Sequence, residues 1–61
     1  MEIKELTNNE LYSLLKIGDL LTTKYFRESN INKQSEIEYI SISNIMNKLY
    51  KEANKRLKDL N

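Results

Sequence analysis

The chain has 61 residues, ten Lys or Arg against nine Asp or Glu, a single glycine, and no Cys, His, Pro or Trp. That length allows one domain, and a chain of this size buries only about 60% of its unfolded surface. Disulfides, a metal or association usually make up the deficit. Without Cys the first route is closed, and without Cys and His the usual zinc ligands are missing, so association is expected. The net charge of +1 supplies no strong steering field.

The opening Met1-Glu2-Ile3-Lys4-Glu5 has neither the basic start nor the apolar core of a signal peptide. No apolar run approaches the roughly 18 residues of a bilayer span. A cytoplasmic location with no membrane contact is expected. Glu2 and Glu5 are read as part of a mobile start.

Helix 1 is expected at about 8–27. Thr7-Asn8-Asn9-Glu10 has the spacing of a capping box, with Leu6 and Leu11 placed as a hydrophobic staple. At about 100° per residue, Leu11, Leu14, Leu15, Gly18, Leu21 and Tyr25 share one stripe. A mid-helix glycine costs about 1 kcal/mol relative to alanine, so Gly18 points to a close approach. The turn is expected at 28–35, where Asn30 and Asn32 can bond their own backbone or adopt left-handed geometry.

Helix 2 is expected at about 36–60, opening on a second capping box, Ser35-Glu36-Ile37-Glu38. Residues 36–43 are rich in β-branched and aromatic side chains and could be read as a strand. A strand needs a pairing partner, and the chain offers none, so helix is expected. Its stripe is Tyr39, Ile42, Met46, Leu49, Ala53, Leu57 and Leu60, with Tyr50 on the flank. The fold class that follows is all-α: an antiparallel two-helix hairpin, dimerising into a four-helix bundle.

Ile17, Leu20, Ile37, Ile40 and Ile45 fall off these stripes. Surplus apolar residues of this kind often mark an interface; fraying or a kink at Ile37 and Ile40 is the alternative. Most of the tyrosines, with Phe26, read as core or rim. Tyr12 points away from the seam and is a candidate partner anchor.

Charge is uneven along the chain. Residues 1–38 hold seven acids and five bases, residues 39–61 two acids and five bases. Lys48, Lys51, Lys55 and Lys58, spaced three, four and three apart, share the face of helix 2 opposite its seam. Such a row can track phosphates. The plainer reading is a solvated face with i,i+4 ion pairs: Lys48 with Glu52, Glu52 with Arg56, Lys55 with Asp59. No aromatic residue interleaves the row to stack on bases.

No chemistry suited to catalysis emerges. An activated nucleophile needs a base beside it, and there is no His or Cys. Glu36 and Glu38 fall on different helix faces. Gly18 alone makes no phosphate loop, and spaced calcium ligands are missing. No enzyme activity, cofactor, metal or small-molecule ligand is expected.

In length, hairpin layout and lack of proline the chain resembles the plasmid copy-control RNA-binding hairpins, which dimerise into four-helix bundles. The resemblance includes no diagnostic motif and carries over no residue; it is a likeness of fold alone. The function expected is that of a small accessory, regulatory protein. It would bind itself or a larger protein through its apolar helical surface. The alternative is an RNA- or DNA-binding dimer using the lysine face.

Overall fold

The computed structural model describes residues 2–60 and contains, among them, only helices. A short 3-10 turn, Ile3–Glu5, leads into α1, Asn8–Glu28, and α2, Lys33–Leu60, returns along it. A 28-residue helix is about 42 Å long, and the molecule measures 44 × 20 × 16 Å. It is one hairpin long and two helices wide. Met1 and Asn61, the ends of the chain, lie outside the described residues.

The start of α1 follows its sequence signals. Glu10 N–H donates to Thr7 Oγ1 at 3.1 Å, and Thr7 N–H donates to Glu10 Oε1 at 2.8 Å. These bonds satisfy two amides that the helix end leaves open. Leu6 and Leu11, the two sides of the staple, are both buried. In the opening stretch Ile3–Glu5 form the 3-10 turn, and Ile3 packs against the core.

The start of α2 differs from expectation. It opens at Lys33, three residues before 36, and Asn32 Oδ1 accepts from Gln34 N–H at 2.8 Å. Ser35 is therefore no cap; it lies in the first turn, buried, and its hydroxyl donates to Glu28 Oε2 at 3.2 Å. The reversal between the helices takes four residues. Ser29 stays right-handed, and among the described residues no non-glycine backbone has a positive φ. The left-handed geometry open to Asn30 and Asn32 is not used. Residues 36–43 are helical throughout.

The core is a line rather than a volume. Leu6, Leu11, Met46 and Leu49 are buried, with Ile3, Leu15, Ile42 and Ala53 packed beside them. Gly18 is buried where Met46 crosses it, and a Cβ there would overlap Met46 Sδ. The close approach that this glycine foretold is at that point. Among the described residues no side chain falls below 2% exposure, so every core residue keeps one edge near water.

Leu57 and Leu60, expected in the seam, are exposed. Asn8, the first residue of α1, is level with Arg56, so α2 continues past the end of its partner. Leu14 and Leu21 are each more than a third exposed, at the edge of the seam.

Candidate interaction surface

The hairpin has two sides and two backs. Ile17 and Asp19 flank Gly18, about 100° to either hand of the seam, and so leave α1 on opposite sides. Asp19 marks the polar side. Tyr50 Oη donates to its carboxylate at 3.0 Å, joining the helices, and the acceptor holds the phenol above its ordinary pKa. Tyr12, seven residues before Asp19, shares that side, with Lys16 Nζ 5.2 Å from its ring centroid. At the turn end, Phe26 and Tyr39 meet with centroids 5.5 Å apart, and Ile40 lines the same hollow.

The opposite side is apolar. Leu14, Ile45 and Leu49 line one shallow groove with Ile3 and Leu6. Ile17 and Leu21 continue the edge of α1 at steps of three and four, and Ile42 lies three residues before Ile45. Ile17 and Ile45 are each 53% exposed. These are branched aliphatic groups with no polar atoms, so water gains nothing by contact with them.

The six candidate interface residues, Tyr12, Ile17, Leu20, Ile37, Ile40 and Ile45, are all exposed, but they do not share one surface. Ile17 and Ile45 belong to the apolar side. Tyr12 and Ile40 lie on the polar side, at opposite ends. Leu20, 74% exposed, faces outward among Lys16, Asp19 and Thr23. Ile37, nine residues before Met46, is on the outer back of α2. Leu14, Leu21 and Ile42, assigned to the seam from spacing alone, supply the rest of the apolar side.

Lys48, Lys51, Lys55 and Lys58 are all exposed along the outer back of α2. Of the three ion pairs that spacing allowed, Glu52 with Arg56 forms, at 2.8 Å. Lys48 with Glu52 and Lys55 with Asp59 do not; the only other ion pair among the described residues is Lys4 with Glu2.

Arg56 does more than close that pair. Its Nη2 donates to the Leu6 carbonyl at 2.7 Å, with the Ile3 and Lys4 carbonyls at 3.4 Å, and Nη1 donates to Asn8 Oδ1 at 2.8 Å. A planar fork with five donors can serve several acceptors at once. The sequence marks Arg56 only as the i,i+4 partner of Glu52. Its other partners lie some fifty residues away in the chain, beyond the reach of spacing arguments.

No protein-family model, curated protein or solved structure matches the chain. No helix among the described residues is long and apolar enough to cross a membrane.

Proposed function

We propose that this is a small, non-enzymatic interaction protein that acts by binding another protein chain through its apolar helical side. One observation carries the reading. The accessible surface is 5065 Å², whereas a compact monomer of 7.3 kDa has about 4,200 Å². The hairpin therefore exposes about 900 Å² more than a compact fold of its mass, and one continuous part of that surface is aliphatic. Two hairpins joined as a four-helix bundle are the simplest assembly that covers it. The test compares the wild-type chain with Ile17→Glu/Ile45→Glu as tagged baits in the native cell. A chain, its own included, should be captured in stoichiometric amount by the wild type and lost in the variant. Equal recovery by both baits would defeat the reading.

A second reading follows from the lysine face. Four ammonium groups project from one back of α2, and neither ion pair that would neutralise them, Lys48 with Glu52 or Lys55 with Asp59, is formed. On this reading a dimer binds RNA or DNA, and affinity falls steeply with salt. Lys51→Glu/Lys55→Glu should abolish binding; retained affinity would remove this alternative.

A further inference from the structure

We infer that the Leu14–Ile17–Leu21 edge of α1 and the Ile42–Ile45 edge of α2 form a two-fold interface with a second copy of this chain. The inference rests on the interaction reading above and names both the face and its occupant.

Area gives the first argument. A stable interface buries about 800 Å² on each partner, close to the surplus of about 900 Å² over a compact monomer. No larger partner is needed to absorb it. The chemistry agrees: the edge is aliphatic at its centre, while the other side has an apolar hollow between Tyr12 and Leu57 at its open end but carries the Tyr50–Asp19 bond and the Lys16–Tyr12 contact along its middle. Burying that second side would desolvate charged groups already served by water and by each other.

Charge placement gives the second argument. An isologous contact must be complementary to itself. On the apolar edge of α1, Glu10 lies seven residues before Ile17 and Lys24 seven after it. On α2, Glu38 lies seven before Ile45 and Glu52 seven after it, with Glu52 already held by Arg56 of its own helix at 2.8 Å. Seven residues are almost two turns, so these charges flank the aliphatic stretch on its own line. Two arrangements keep every neighbouring helix antiparallel. With α1 stacked on α1, Lys24 of one copy comes beside Glu10 of the other. With α1 stacked on α2, Lys24 comes beside Glu38. With α1 on α1 the two-fold repeats the Lys24–Glu10 pair at both ends of an apolar centre, and Glu38 meets the other copy's Glu52–Arg56 pair; with α1 on α2 both Lys24–Glu38 pairs fall at the turn end.

The experiment measures the solution mass of the full chain by light scattering from micromolar to millimolar concentration. The wild type should reach twice 7.3 kDa. Ile17→Glu and Ile45→Glu should raise the dissociation midpoint at least tenfold, and Leu20→Glu and Ile40→Glu should leave it unchanged. Isotope-filtered NOE spectra of mixed labelled and unlabelled wild type give a check that needs no variant to fold. Contacts between copies should involve the methyls of Ile17 and Ile45, and not those of Leu20 or Ile37. A wild-type chain that stays monomeric overturns self-pairing, while the interaction reading still stands or falls on the capture comparison. A dimer weakened by Leu20→Glu or Ile40→Glu as much as by Ile17→Glu also overturns it.

Discussion

Gly18 is the one residue whose missing side chain is a contact. Its surface is occupied by Met46, and a Cβ there would overlap Sδ and lie 3.0 Å from Cε and 3.1 Å from Cγ. Gly18→Ala gains about 1 kcal/mol of helix propensity but must displace a buried side chain, and overpacking costs about 1–3 kcal/mol. The expected net loss is about 1 kcal/mol by urea denaturation. Trimming Met46 to Ala should then cost less in the Gly18→Ala background than in the wild type, and strict additivity would count against this contact.

Tyr50 is the other residue with a readable chemical signature. Its hydrogen bond to Asp19, with smaller contributions from desolvation and the carboxylate charge, raises its pKa. A raised pKa means that the fold favours the protonated phenol. The stabilisation is therefore full below the ordinary tyrosine value of about 10 and disappears as pH rises through the folded value. Tyr50 should ionise above the ordinary tyrosine value in an NMR titration, and Asp19→Asn should lower its midpoint. At the acid end Glu10 behaves oppositely. Its bonds with Thr7, the backbone one first, lower its pKa, so its contribution is complete above about pH 4.3 and fades as pH falls through the lowered value.

At the scale of elements, Arg56 decides whether the N-terminal turn belongs to the fold. Its fork satisfies the Leu6 carbonyl that the turn leaves open and holds Leu6 in the buried cluster with Leu11, Met46 and Leu49. Arg56→Ala should cost about 1–2 kcal/mol, the range for charge-assisted bonds discounted for partial exposure. The Glu5 and Leu6 amides, now bonded to Glu2 and Ile3 carbonyls, should exchange before global unfolding. Arg56→Lys should keep the Glu52 pair and still lose that protection; wild-type exchange in it would place the anchoring elsewhere.

The two helix starts show what spacing can and cannot convey. At Thr7 the capping box and the staple involve residues no more than five apart, so the sequence displays them completely. Ser35 had the same local pattern, but α1 ends at Glu28 and the chain reverses at once, which turns Ser35 inward toward that carboxylate. The stripes likewise located Gly18, Met46 and Leu49 but placed Leu57 and Leu60 inside, because register between helices is not a property of either one. The apolar side was read in fragments for the same reason. Spacing assigns Leu14 and Leu21 to the seam and Ile17 off it, and only docking of α2 shows that Leu14 and Leu21 stop at the seam's edge, beside Ile17.

The whole molecule is limited by its width. Two helices make one line of contact, and the radius of gyration of 13.3 Å exceeds the roughly 10.5 Å of a compact chain this long. Stability therefore depends on a few side chains, and any chain that covers their open edge adds to it by mass action. The reversal at Ser29–Asn32 bears on this in another way. With no positive φ, no glycine and no proline, nothing in its backbone forbids straightening into the helices on either side. The hairpin and a single uninterrupted rod are then neighbouring states, separated by the capping bonds of Ser29 and Asn32 and by the seam. A rod can recover its seam only from another rod, so the open form is a domain-swapped pair. Ser29→Ala/Asn30→Ala/Asn32→Ala should populate it, visible in small-angle scattering as a species nearly twice as long as the hairpin. Unchanged dimensions would mean that the seam alone keeps the hinge shut.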